Sequence, residues 1–190
     1  LYTAAASVAA NGCDDVNARL ATDIDLGDAP YFTNNDNWCG GDFDGAGHSL
    51  TINFNDAPLT VSDVNGYGLN EQPYSAGNNC LFHNLSGTVH DLVVHGTITT
   101  QGQYAGSVTN HIQGSDNADN LMIYRIYSDV NIVSTYEGDG THGGFVGVAD
   151  KSSMMSNICF AGSITSTATK NVGGILGWCS KDTKMYNVLV

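Results

Sequence analysis

Basic side chains are the scarcest class in this sequence. Only six Lys and Arg stand against nineteen Asp and Glu among 190 residues, which gives a formal net charge of −13. Proteins bind nucleic acids, anionic membranes and acidic polysaccharides through clustered Lys or Arg. The composition therefore argues against nucleic acid, an anionic membrane or an acidic polysaccharide as partner.

Long apolar runs are also missing. Stretches such as residues 92–94 or 173–178 fall far short of the roughly 20 residues that cross a bilayer, so the sequence predicts no membrane insertion. Residues 1–10 lack the basic start of a signal peptide. We interpret them as a short amphipathic helix, and any export signal would lie upstream.

The cysteines form no metal or redox motif. No CxxC pair occurs, and no His stands at zinc spacing. The odd count leaves at least one thiol unpaired within the chain. A disulfide between Cys13 and Cys39 is one interpretation, because both lie in irregular Gly- and Asn-rich segments where closing a loop restricts the unfolded chain. Five unpaired thiols is the alternative of equal weight. The five positions are Cys13, Cys39, Cys80, Cys159 and Cys179.

What the sequence does contain is a repeat. Similar segments recur with their first apolar residue spaced by 34, 32 and 30 residues, at Leu92, Ile126, Ile158 and Val188. Within each segment apolar residues alternate with polar ones, which is the period of a strand. A second, glycine-led element follows, as in residues 143–147 and 173–177.

The repeat predicts the fold class. Units of roughly thirty residues made of short strands cannot bury an apolar face alone and must stack on one another. We therefore expect an all-β chain folded as a parallel β-helix. A propeller is the rival, but each blade would need four antiparallel strands, and no hairpin dipeptide stands at a fixed offset.

The domain organisation follows from the repeat. We expect one domain over residues 1–190, with a cap at 1–19 that includes the helix. The first coils span 20–86 with a loop excursion at 55–79, and repeats of 30 to 34 residues fill 87–190. The last residues begin a fourth copy. The chain is thus expected to be the amino-terminal part of a longer solenoid, or to cover that end with another copy.

These motifs together resemble a known group. The order of a short helix, Ala-Thr-Asp-Ile-Asp-Leu, Phe-Asp-Gly-x-Gly-His-Ser-Leu, Leu-Phe, Asn-Ile-x-x-x-Gly-x-Ile and Gly-Gly-x-Leu-Gly is similar to bacterial surface and secreted proteins that carry the GLUG motif. The resemblance implies a right-handed β-helix, an extracellular or cell-surface setting and a role in adhesion. It brings no catalytic residues. His83 and Ala105 replace glycines that the pattern usually has.

Two groups of residues are candidates for a site. Asp42 and Asp44 are two apart, so on a strand they share one face and could act as acid and base or hold a cation, although a turn is the preferred interpretation. A tyrosine surface is the other candidate, because a neutral sugar ring stacks on an aromatic face. It comprises Tyr124, Arg125, Tyr127 and Tyr186.

Further features carry weaker signals. Calcium could be held at residues 116–119 or 137–139, but solvated turns are preferred there because neither has EF-hand spacing. His90 and His95 are expected on opposite faces because their separation is odd. Hydroxyl rows around residues 97–99 and 163–165 resemble ice-binding solenoids, but Asn131 and Val133 interrupt them.

The functional expectation is a non-catalytic extracellular module that presents an extended surface for adhesion or assembly, with no cofactor. Its partner would be a glycan or a host protein. The alternative is a β-helix that binds or cleaves glycans.

Overall fold

The chain is all-β. A computed structural model describes residues 17–27, 37–38, 41–55, 79–112 and 119–190. Within these ranges there is no helix, and accordingly none that is long and apolar enough to span a membrane. Sixteen strands occur, namely β1 (Ala18–Arg19), β2 (Ile24–Gly27), β3 (Asn37–Trp38), β4 (Asp42–Asp44), β5 (Ser49–Asn55), β6 (Phe82–Leu85), β7 (Thr88–Thr100), β8 (Tyr104–Ala105), β9 (Thr109–Ile112), β10 (Leu121–Ser128), β11 (Asn131–Gly143), β12 (Val146–Ala149), β13 (Ser153–Phe160), β14 (Ser163–Gly173), β15 (Leu176–Cys179) and β16 (Thr183–Leu189).

The strands form two parallel sheets of a β-helix-like type. The larger has eleven strands and contains the path β1-β4-β7-β10-β13-β16, with β2, β5, β11, β14 and β8 joined beside it. The smaller has five strands in the order β15-β12-β9-β6-β3. Each pass of the chain contributes strands to both sheets, beside the strands of the previous pass.

The register sets corresponding residues side by side. Ile126 of β10 lies opposite Leu92 of β7 on one side and Ile158 of β13 on the other, and Ile158 in turn lies opposite Val188 of β16. These are the four apolar positions that the sequence aligns. The alignment of the segments is therefore confirmed by strand pairing.

Alternation places the core between the sheets. Along β5, Leu50, Ile52 and Phe54 are at most 3% exposed, as their shared parity predicts. In β7, Val94 and Ile98 are fully buried, and one apolar cluster runs through the successive passes as far as Ile175. Burying one such side chain contributes about 1.5–3 kcal/mol.

A row of left-handed residues interrupts the alternation. Asp91, Arg125, Asn157 and Asn187 have φ of 51°, 52°, 53° and 51°, and the register stacks them on one another. The left-handed region costs about 1–2 kcal/mol for a residue with a side chain, and Asp and Asn tolerate it best. The chain bends at this row in each pass.

The bend corrects one expectation from the sequence. Val89 and Leu92 both belong to the core although their separation is odd, because the left-handed residue at 91 inverts the parity. His90 and His95 therefore lie on the same outer side, each against carboxylates. The prediction that they point to opposite faces is wrong.

Other predictions meet the structure only in part. The first coils, expected from residue 20, begin with β1 at Ala18–Arg19, and a break at residues 20–23 separates β1 from β2. The helix at 1–10, the pair Cys13 and Cys39, and nearly all of the loop at 55–79 lie outside the described residues. Cys80 is buried, and the thiols of Cys159 and Cys179 are free.

Close approach between passes is tested at Gly96. This residue has φ +118° and faces Ile52, whose carbonyl oxygen a Cβ would overlap. Gly138 is the matched control, since its φ is +121° but a Cβ would meet only Tyr136 at 3.8 Å. Both changes to alanine cost backbone strain of about 1–3 kcal/mol. We expect Gly96→Ala to lower the free energy of unfolding clearly more than Gly138→Ala, and equal losses in denaturant titrations would contradict the close approach.

The register is tested at β13 and the turn after it. Ile158 is 2% exposed whereas Ala161 is exposed. Because a buried carboxylate without a partner is strongly unfavourable, Ile158→Asp is expected to cost at least about 3 kcal/mol. Ala161→Asp is expected to change stability by no more than about 0.5 kcal/mol. Similar losses in melting temperature would mean that the register is wrong by one residue.

Candidate functional site

Three passes of the chain bring ionisable side chains together on the outside of the larger sheet. Asp42 and Asp44 lie in β4, and Asp44 pairs with His90 of β7, which pairs with Tyr124 of β10. Both aspartates contact His90, so they share one face as the strand interpretation requires. The preferred turn interpretation is met in part, since both residues lie in β4 and Asp44 also caps the turn that follows, where its Oδ1 accepts a hydrogen bond from the backbone N–H of Ala46.

His90 is held between carboxylates. Its Nδ1 lies 2.6 Å from Asp91 Oδ2 and its Nε2 lies 3.1 Å from Asp42 Oδ1, while Asp44 Oδ1 is 3.8 Å from Nδ1. Ionised carboxylates only accept hydrogen bonds, so this geometry favours the protonated ring, in which both nitrogens can donate. Burial by itself lowers the pKa of His90, but the hydrogen bonds to Asp91 and Asp42 and their charges outweigh it, and the pKa is raised.

Asp91 also binds Arg125 of the next pass. The guanidinium donates from Nε to Oδ1 and from Nη2 to Oδ2, both at 2.5 Å. This two-pronged pairing is the strongest geometry for an arginine and a carboxylate. The hydrogen bonds from Arg125, aided by His90, lower the pKa of Asp91 to about 2. The pairing arises because both residues occupy the stacked left-handed row.

Tyr124 provides a flat surface for both cations. Its ring is stacked on the His90 ring with centroids 4.7 Å apart and planes inclined by 8°, and the Arg125 guanidinium carbon lies 4.5 Å from its centroid. An aromatic face attracts cations through its quadrupole. Burial raises the pKa of the Tyr124 hydroxyl, so the ring stays neutral.

Arg19 completes the charge balance. Its Nε lies 3.3 Å from Asp44 Oδ2, and Asp44 Oδ1 accepts a hydrogen bond from the backbone of Ala46 at 2.7 Å. Three carboxylates thus face three cations. We call this group the inter-coil cluster, and it comprises Arg19, Asp42, Asp44, His90, Asp91, Tyr124 and Arg125.

The chemistry available to the cluster is limited by its own contacts. Ligand atoms of Asp44, His90 and Asp91 lie within 4.8 Å of one another, the one such group in the described ranges that could hold a metal ion. However, the His90 proton and Arg125 already neutralise these groups. The carboxylates occupy both ring nitrogens of His90, and the contacts of the cluster join four passes of the chain, from Arg19 of β1 to Arg125 of β10.

The predicted tyrosine surface is divided. Tyr186 is 53% exposed and lies opposite Ser156, which lies opposite Tyr124, in the order that the sequence predicts. Tyr127 is 38% exposed but belongs to another row, opposite Cys159. Tyr124 is partly buried in the inter-coil cluster, whereas Arg125, which also belongs to the cluster, remains exposed together with Tyr127 and Tyr186.

The predicted calcium segments do not converge where they are described. Asp119 accepts a hydrogen bond from Lys184 Nζ at 2.5 Å, and Asp139 lies 3.4 Å from Lys170 Nζ. Asp116 lies outside the described residues. Each of these two carboxylates is thus paired with a lysine, and residues 137–139 lie within strand β11 and not in a turn.

Sequence reasoning found four members of the cluster but not what connects them. It placed Asp42 with Asp44 in one candidate site and Tyr124 with Arg125 in another, and it missed His90 and Asp91. A signal was present, because aligning the repeats sets Asp91 directly above Arg125. Opposite charges in one column of a stacked repeat indicate an ion pair between passes.

Comparison with known proteins gives one partial likeness. The chain is 26% identical over 99 residues to the protein named halomucin of Haloquadratum walsbyi, which covers 51% of this chain and 1% of halomucin. No protein-family model matches the sequence. No solved structure matches it either.

The protonated state of His90 predicts a pH dependence. Because the pKa of His90 is raised above its usual 6.5, its contribution to stability is complete below about pH 6.5 and is lost as the pH rises through the folded-state pKa. We expect His90→Gln to lower the melting temperature at about pH 5.5, with the difference from the unmodified protein shrinking towards about pH 9.

Comparing the unmodified protein with the His90→Gln variant isolates the contribution of His90 to the pH dependence. Burial lowers the pKa of His142, so its contribution to stability changes with pH in the opposite direction. That contribution is the same in the unmodified protein and in His90→Gln, and it cancels in the difference between them. His95→Gln is the control, since it removes an outward histidine that lies outside the inter-coil cluster and contacts Asp129 and Tyr127. A difference that stays constant with pH, or that grows above neutrality, would contradict a protonated His90.

Proposed function

We propose that this chain is a non-catalytic module of a surface or secreted protein, folded as a right-handed parallel β-helix, that presents an extended surface for adhesion or assembly. The observation that carries the proposal is the inter-coil cluster. It is the group of ionisable side chains that converges in the described part of the chain, and its contacts are structural.

The handedness follows from a general rule. Connections between parallel strands of one sheet are right-handed in about 98% of cases, because a twisted strand returns to its sheet favourably only in that sense. Every strand pair of the described residues is parallel and joins successive passes. A right-handed solenoid is the arrangement that satisfies both conditions, and it agrees with the resemblance to GLUG-motif proteins.

The extracellular setting has two supports. The likeness to halomucin is compatible with a surface or secreted protein. The scarcity of Lys and Arg, with a net charge of −13, favours solubility and repulsion between copies. Neither feature names the ligand, and a glycan or a host protein is the partner class that we propose.

A β-helix that binds or cleaves glycans is the second candidate. It is favoured by the exposed rings of Tyr127 and Tyr186 and by the position of Asp42 and Asp44 on one outer face. Cleavage would require one carboxylic acid and one carboxylate free to act on the glycosidic bond. Here Asp44 is bound by Arg19 and Asp42 by His90, which is why we rank cleavage below display.

A reducing-end assay separates the two candidates. The purified chain, incubated with a panel of soluble glycans, is expected to release no product above the blank, because no acid or base in the cluster is free. Asp44→Asn serves as the diagnostic variant and Asp25→Asn as the matched control for loss of one outward carboxylate. Product release that disappears in Asp44→Asn, with its melting temperature retained, would overturn the non-catalytic proposal.

A further inference from the structure

The larger sheet has an outer area without charged residues. One row across it consists of Asn53, Thr97, Asn131 and Ser163, which lie directly opposite one another in β5, β7, β11 and β14. All four are exposed. A chain with a net charge of −13 therefore presents an uncharged row that crosses four successive passes.

The next row repeats this chemistry. Asn55, Thr99, Val133 and Thr165 are in register and exposed. Neighbouring strands lie about 4.8 Å apart, and successive outward residues on one strand about 6.7 Å apart. The two rows are thus part of a regular lattice of hydroxyl, amide and methyl groups, which we call the uncharged face.

Charged residues border the uncharged face on both sides. Asp25 and the pair formed by His95 and Asp129 mark one border. Glu137 and Asp139, with Lys170, mark the other. Along the strands, charged residues come first, uncharged residues follow, and charged residues come again. The uncharged centre is therefore a property shared by several paired strands and does not depend on one residue.

The polar groups of this face retain unused capacity. Thr97 donates its hydroxyl to Asn53 Oδ1 at 3.3 Å, and Ser163 donates to Asn131 Oδ1 at 2.7 Å. In the described structure these are the side-chain hydrogen bonds of the row, so the amide nitrogens of Asn53 and Asn131 remain free to donate. The hydroxyls of Thr99 and Thr165 and the Val133 methyl groups are likewise available to a ligand.

We infer that the uncharged face binds a neutral polysaccharide. Such a polymer offers repeated hydroxyls that match the repeated donors and acceptors, and its C–H surfaces can contact the Thr methyl groups and Val133. An uncharged ligand also avoids the cost of removing charges from water. A protein partner fits less well, because the centres of protein interfaces are more apolar than these two rows of mainly hydroxyl and amide side chains.

This inference rests on the proposed role in surface display and gives that role a ligand class. It places the ligand away from the exposed tyrosines that the sequence favoured. Contacts repeated over several passes add together along a polymer. Long chains are therefore bound more tightly than short oligosaccharides of the same sugar.

Affinity electrophoresis tests the inference. The whole chain is run through gels that contain a soluble β-glucan, a mannan or, as the charged comparison, polygalacturonate. Retardation by an uncharged polymer is expected, together with at least a tenfold weaker dissociation constant in Thr165→Glu, because the new carboxylate must lose water without gaining a partner. Lys181→Gln is the control, since it changes the net charge equally at an exposed turn position between β15 and β16.

Several results would overturn the inference. These are no retardation by either uncharged polymer, retardation by polygalacturonate alone, or binding that Thr165→Glu leaves intact but Tyr186→Ala removes. A dimer in sedimentation that dissociates in Thr165→Glu would also overturn it, by assigning the face to a second copy. None of these results touches the non-catalytic proposal, which the reducing-end assay decides separately.

Discussion

In-register parallel stacking is the constraint on which the rest of this structure depends. Corresponding residues of successive passes lie opposite one another, for example Leu92, Ile126 and Ile158, at the spacing of about 4.8 Å between strands. Apolar residues gain from this arrangement, since identical positions pack into one continuous core. Charged residues do not, because like charges set directly opposite each other repel. Every outward column must therefore be balanced by opposite charges or left uncharged.

Because Lys and Arg are scarce, histidines provide many of the partners that balance the aspartates of neighbouring passes. With only six Lys and Arg, aspartates of one pass meet histidines of another. Contacts of this kind join His48 to Asp23, His90 to Asp42, His95 to Asp129 and His111 to Asp150. In the left-handed row, Asp91 is balanced by the opposite charge of Arg125 in the next pass. The following two passes place uncharged amides in the row, and Asn187 donates a hydrogen bond to Asn157 at 2.9 Å. The row can change chemistry between passes because each contact involves only its neighbours.

The sequence predicted what periodicity encodes and missed what a single backbone conformation encodes. Repeats and alternation predict the all-β class, the aligned apolar positions and the buried side of β5, because these features are regular along the sequence. The inversion at Asp91 could not be obtained in this way, since one left-handed residue reverses the parity of everything after it. That inversion also determines the candidate site, because it moves His90 to the outside where Asp42 and Asp44 can reach it. Residue identity alone indicated both aspartates, but only the register connected them with Tyr124 and Arg125.

The inter-coil cluster and the uncharged face are two solutions to the same constraint. In the cluster, opposite charges from four passes are paired, so those side chains are held by ionic contacts with their neighbours. On the uncharged face no charges need pairing, and a hydroxyl bonded to a neighbouring amide still leaves the amide nitrogen free. Fixed charges make a column stable but unreceptive, whereas neutral polar columns stay available to an external ligand. We therefore place recognition on side chains that take no part in the ionic contacts between passes, although their strands are paired like the others.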